Sequence, residues 1–168
     1  RESQMSPLEP ANLNAPGQIV CSGSQQLIEW LQSHINKDIF SPPPAKMRLI
    51  PLKVSAPFHC SLMKPAEEKM KSVLMDLPFQ TARFPIVQNV NAQPVTEGMQ
   101  LRDNLIRQIS APVRWIESVE KLQHMGETKA IEFGSGTVLN GLVKKITNGQ
   151  FQVSNMNSIE DLRNLDEG

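Results

Sequence analysis

The chain has 168 residues, 39% of them hydrophobic, and its 17 basic and 17 acidic side chains cancel to zero formal net charge. That length is usual for one domain with a usable core, and the neutral balance excludes a chain-wide bias towards nucleic acid or anionic membrane. Apolar runs of a few residues fall far short of the ~20 needed to cross a bilayer. No signal peptide is visible at Arg1-Glu2-Ser3-Gln4, and the two cysteines, Cys21 and Cys60, match no zinc spacing. Reduced thiols in a cytoplasmic protein are therefore expected. A chain that opens without a starting Met or a helix cap is also expected to be part of a longer one.

Residues 11–21 carry Asn and Gly punctuation that runs into an apolar strand, Gln18-Ile19-Val20-Cys21. Ser22-Gly23-Ser24 turns the chain, and Ser24 can cap a helix in which Leu27, Ile28, Leu31 and Ile35 recur at the helical period. That helix is expected to end near Asn36. Residues 38–46, with Ser41-Pro42-Pro43-Pro44, form a stiff surface loop, and residues 47–52 predict the next strand. Val54 closes the apolar run, Pro57 stops any ladder for lack of an N–H, and Pro65 is tolerated only in a helix's first turn. His59 therefore sits between a strand and a helix. Its ordinary pKa of about 6.5 suits general-base work at neutral pH. The plainer alternative, a packed histidine between Phe58 and Cys60, stays open at this point.

Beyond His59, helices alternate with short strands. Met63, Ala66, Met70, Val73, Leu74 and Leu77 form one helical stripe, with its methionines expected in the core, and Pro78 ends it. Residues 84–87 predict a strand that delivers Asn89 near His59. Leu101, Leu105, Ile106 and Ile109 mark a helix; Val113, Ile116, Val119 and Leu122 mark another, started by Pro112. Residues 129–133 predict a strand, and Gly134-Ser135-Gly136 turns into a helix carrying Val138, Leu139, Leu142, Val143 and Ile146. This order is shared with phosphate-binding loops, but a bare Gly-Ser-Gly is too short to be specific, and a tight turn is preferred. After Thr147, Ile159, Leu162 and Leu165 suggest a short terminal helix or a loosely held tail. His34 and His124 are expected at the surface. No metal site is expected, because adjacent His59 and Cys60 would seldom both reach one ion.

Five segments in this order resemble the malonyl-CoA:acyl carrier protein transacylases of fatty acid synthesis. They are residues 11–18, Pro57-Phe58-His59-Cys60-Ser61-Leu62-Met63, Gln88-Asn89-Val90, Leu105-Ile106-Arg107-Gln108 with Pro112-Val113-Arg114-Trp115, and residues 132–139. The resemblance runs from about residue 8 to about residue 147 and covers the later half of the family's chain. No Gly-x-Ser-x-Gly nucleophile elbow occurs here, nor the family's Gly-Gln-Gly segment, nor the arginine after the elbow that holds the substrate carboxylate.

The resemblance implies an α/β fold, part of an α/β-hydrolase-like acyltransferase domain over 54–147. Before it, 1–53 would be the C-terminal part of a ferredoxin-like small subdomain, and 148–168 a C-terminal helix or tail. It implies transfer of malonyl from malonyl-CoA to the phosphopantetheine thiol of acyl carrier protein through an acyl-serine intermediate. His59 would be the general base, and the backbone carbonyl of Gln108 would hold its tautomer. Asn12, Asn14 and Asn89 would line the mouth of the site; on their own residue type, the first two are ordinary turn-makers. Phe58, by likeness to acyltransferases of polyketide synthesis, would be a bulky wall favouring malonyl over methylmalonyl, a discrimination of about 1–3 kcal/mol. The implied partners are malonyl-CoA, acyl carrier protein and the missing N-terminal half, with no cofactor. The alternatives are an acyltransferase of polyketide synthesis and a non-catalytic binding or structural module.

Overall fold

A computed structural model describes residues 7–165. Arg1-Glu2-Ser3-Gln4 and the outermost residues of the expected segments 1–53 and 148–168 lie outside the described residues. Strands β1 (Leu8–Ala15) and β2 (Gln18–Gly23) pair as an antiparallel hairpin. Its turn is Pro16-Gly17, where Gly17 takes φ +74°, a conformation costly for residues with a Cβ. Only the second strand is legible in the sequence, because Pro10, Asn12 and Asn14 are all poor strand formers. Tertiary pairing overrides that preference. The outer edge of β1 meets Val113, with Leu13 N–H donating to Val113 O at 2.9 Å and Val113 N–H to Ala11 O at 2.8 Å.

Helix α1 (Gln25–His34) starts as expected, with the Ser24 hydroxyl accepting from Leu27 N–H. It stops at His34, and Asn36 instead caps a 3-10 turn, Lys37–Ile39, by accepting from Asp38 N–H at 2.9 Å. Residues 47–52 form no strand, contrary to expectation. A strand exists only as part of a ladder, and no described strand pairs with this run; Ile50 is left 65% exposed.

After a 3-10 turn, Ser61–Met63, helix α2 (Lys64–Met75) carries Pro65 in its first turn. Its expected apolar stripe is not a core. Val73 is 56% exposed, and Met70 and Leu77 are exposed too. The residue buried on this helix is Glu67, on a helix that packs against α3 (Gly98–Gln108). Periodicity identifies a face, but among the described residues that face is only partly covered, with Met63, Ala66 and Leu74 half-buried.

Strands β3 (Ile86–Val87) and β4 (Pro94–Val95) form a two-residue antiparallel pair, so the strand expected over 84–87 is shorter. The Glu97 carboxylate caps α3, accepting from Met99 and Gln100 N–H. Inside, buried Asn104 donates to Gln88 Oε1 at 2.9 Å, and Gln88 Nε2 donates to Leu101 O at 3.0 Å. This fastens the segment before Asn89 to α3. Helix α4 (Trp115–His124) begins later than Pro112 suggests, because the N–H and C=O of Val113 are already committed to β1.

The last unit is β5 (Lys129–Phe133), α5 (Val138–Ile146), β6 (Gln152–Met156) and α6 (Ile159–Leu165). β5 and β6 are parallel, paired from Lys129↔Gln152 to Phe133↔Met156. β6 is absent from the sequence expectation, since Gln152, Ser154 and Asn155 make the strand polar. Val119, Val143 and Phe151 pack together where α4, α5 and the start of β6 meet, with Trp115 and Leu122 against them. The α/β class stands, and no described helix is long and apolar enough to cross a membrane.

Candidate active site

His59 lies on the turn ahead of α2 with φ +59°, a left-handed conformation uncommon outside glycine but less so for His than for most residues. The turn is pinned on both sides. Fully buried Cys60 donates its thiol to Pro57 O at 3.2 Å. Ser61 donates its N–H to the Glu9 carboxylate at 2.9 Å and its hydroxyl to the same group. Strand β1 thus holds the chain two residues past the histidine.

His59 Nδ1 lies 3.2 Å from the backbone oxygen of Gln108, the last residue of α3. A carbonyl only accepts, so Nδ1 carries the proton and Nε2 keeps a free lone pair. The arrangement can accept a proton at Nε2.

Asn12 and Asn89 lie on either side of residues 113–114: Asn12 bridges Val113, and Asn89 O accepts from Arg114 N–H at 3.0 Å. Asn89 and Gln108 share the wall of an open groove of about 440 Å³, together with Phe79, Ile86, Leu101 and Leu105. Asn14 is half-buried near the end of β1, and Phe58 is 47% exposed beside His59. Among the described residues, no hydrogen bond links the side chain of Asn14 to His59.

Sequence inspection missed Glu67. It is 6% exposed, accepts from Lys64 Nζ at 2.7 Å, and accepts from the Ser110 hydroxyl. Only the Lys64–Glu67 spacing was a visible signal. Burial pushes its carboxyl up, but the hydrogen bonds from Lys64 and Ser110 and the charges of Lys64 and Arg107 outweigh this and hold it below its ordinary value of 4.5. A carboxyl lowered on folding contributes stability that is complete above the unfolded value and lost as pH falls through the folded one. Denaturant melts between about pH 3 and pH 6 should therefore show the wild type losing more stability on acidification than Glu67→Gln. Parallel pH profiles would contradict this.

The Gly-Ser-Gly segment is a tight turn. The Glu132 carboxylate accepts from Leu139 N–H at 2.9 Å and Asn140 N–H at 2.8 Å, so the start of α5 faces a negative charge. His34 and His124 are exposed, each with Nδ1 against a carbonyl of its own helix. Both cysteines are free, and no metal-binding cluster of His, Cys, Asp or Glu occurs among the described residues.

No protein-family model matches the chain. It is 41% identical over 160 residues to "Malonyl CoA-acyl carrier protein transacylase" of Staphylococcus aureus (strain MSSA476), covering 95% of this chain and 50% of that protein. The protein of the same name from Bacillus subtilis (strain 168) is 47% identical over 136 residues, 81% of this chain and 41% of that one. A solved malonyl-transacylase in complex with its type II PKS acyl-carrier protein has a similar structure, with TM-score 0.83 and 36% identity over 98% of this chain and 52% of that chain. The chain spans about half the length of the curated relatives it matches.

Proposed function

We propose that this chain, a relative of the malonyl-CoA:acyl carrier protein transacylases along about half of their length, is the general-base half of such an enzyme. The observation that carries the reading is the His59 Nδ1–H bond to the Gln108 carbonyl, which leaves Nε2 free to take a proton. The nucleophile would be a serine on a Gly-x-Ser-x-Gly elbow in an N-terminal half of the same enzyme, where the carboxylate-binding arginine would also lie. The segments up to 53 and from 54 to 147 would be parts of a ferredoxin-like subdomain and of a hydrolase-like core, with 148–168 following as a terminal segment.

In the first half-reaction, Nε2 takes the serine proton as the serine oxygen attacks the malonyl thioester carbonyl. The C–S bond then breaks, and the coenzyme A thiolate leaves with the proton from the imidazolium. In the second, the carrier-protein thiol gives its proton to Nε2 and its sulfur attacks the malonyl-serine ester. The serine oxygen leaves and takes that proton back, so His59 ends each half-reaction neutral. Asn12, Asn14 and Asn89 would line the entrance, and Phe58 would crowd an α-methyl branch.

The test is to trap the intermediate. After brief exposure of the full-length protein to malonyl-CoA without carrier, peptide mass mapping should find the malonyl ester on a serine outside these 168 residues. An ester on Ser55 or Ser61 would overturn the reading. Malonyl loading of a polyketide carrier is a second reading, favoured by likeness to the complex with a type II PKS carrier. The chemistry is the same, and the carrier that accepts malonyl from the trapped ester distinguishes the two.

A further inference from the structure

The two groups of the candidate base arrive from segments 49 residues apart in sequence, the turn before α2 and the end of α3. Their hydrogen bond, at 3.2 Å, is at the long end of the normal range, so the bond itself does not set their separation. Another contact joins the same two elements. Glu67, in the first turn of α2, accepts from the hydroxyl of Ser110, which is buried two residues past Gln108. The second oxygen of Glu67 is held by Lys64 from the same helix turn.

A buried carboxylate is an expensive way to join two helices, since an apolar pair of similar volume often serves stability as well or better. What a charge-assisted bond adds is a defined direction. Resting on the reading of His59 as the base, we propose that Glu67 is a positioning residue. Through Ser110 it holds the Gln108 carbonyl against His59 Nδ1–H, and so keeps the tautomer with Nε2 free. Glu9 fixes the turn from the opposite side, through Ser61. The proton-accepting atom would thus be set by two carboxylates, Glu67 through Ser110 and Glu9 through Ser61.

The experiment uses the full-length enzyme containing this chain, with Glu67→Ala, Glu67→Gln and Ser110→Ala, and imidazole-15N-labelled histidine. Glu67→Ala should lower kcat about tenfold with KM for malonyl-CoA nearly unchanged, and His59 should move from the pure Nδ1–H pattern to a tautomer mixture. Glu67→Gln, whose amide oxygen still accepts from Ser110, should recover most of both. Ser110→Ala should show the same tautomer change, and adding it to Glu67→Ala should do little more. If Glu67→Ala fails to fold, Ser110→Ala carries the test. A folded variant with the wild-type tautomer and kcat, or an activity loss that only follows the unfolded fraction, overturns the proposal. If instead His59→Ala kept full activity while Glu67→Ala still shifted the tautomer, the base assignment would fall and the positioning role would stand.

Discussion

Replacing His59 with alanine in the full-length protein should slow formation of the malonyl-serine ester by roughly two to four powers of ten, the usual worth of a general base. Malonyl-CoA binding should stay near the wild-type value, because the substrate's carboxylate and phosphates would be held by other groups. The loss should therefore fall on kcat and kcat/KM together. Stability needs separate control. His59 sits at φ +59°, a conformation that alanine adopts less readily than histidine, so part of any stability loss would have nothing to do with catalysis. Asparagine tolerates that conformation better, and His59→Asn should be as slow as His59→Ala while folding more stably. Single-turnover acylation and thermal melts on both variants separate the roles. A folded, substrate-binding variant that acylates at the wild-type rate would make His59 a structural residue.

Supplied by itself, the 168-residue chain should form no malonyl-carrier product above the uncatalysed background, because on the proposed reading it would hold a base and its orienting carbonyl, and its sequence has no Gly-x-Ser-x-Gly elbow. The two nearby hydroxyls are poor substitutes. Ser61 is committed to the Glu9 carboxylate, and Ser55 lies on an exposed bend four residues before His59. Adding a separately expressed segment that carries the Gly-x-Ser-x-Gly elbow should restore transfer. The chain alone should also self-associate, since Ile50, Val54 and Phe84 are exposed together with much of the α2 stripe. Malonyl-carrier formation by the isolated chain would show that one of its own serines acts as nucleophile.

Some elements were legible because their signals are local. Ser24 and the four-residue recurrence after it mark α1, and the strand–turn–helix over 129–146 is in place because Gly134 and Gly136 can take positive φ between two apolar runs. A histidine between two proline-limited segments was visible in the same way. The motif around it, together with four others in order, pointed to a transacylase with half its length represented.

Other features required the chain to meet itself. β1 and β6 look polar in sequence and become strands only because β2, Val113 and β5 satisfy their backbones, while the apolar run 47–52 finds no such partner. The stripe on α2 has the right period for a core, yet the helix buries Glu67 instead. Periodicity records which residues share a face, and only packing decides what lies against it. The site divides in the same manner. The sequence by itself determined the residue type, His59, and a place for it between elements. The left-handed turn, the approach to Gln108 from 49 residues away and the Glu67–Ser110 link across 43 residues were decided by the tertiary structure. Contacts so distant leave no periodic trace, because their geometry depends on how whole elements dock and not on any residue's neighbours in the chain.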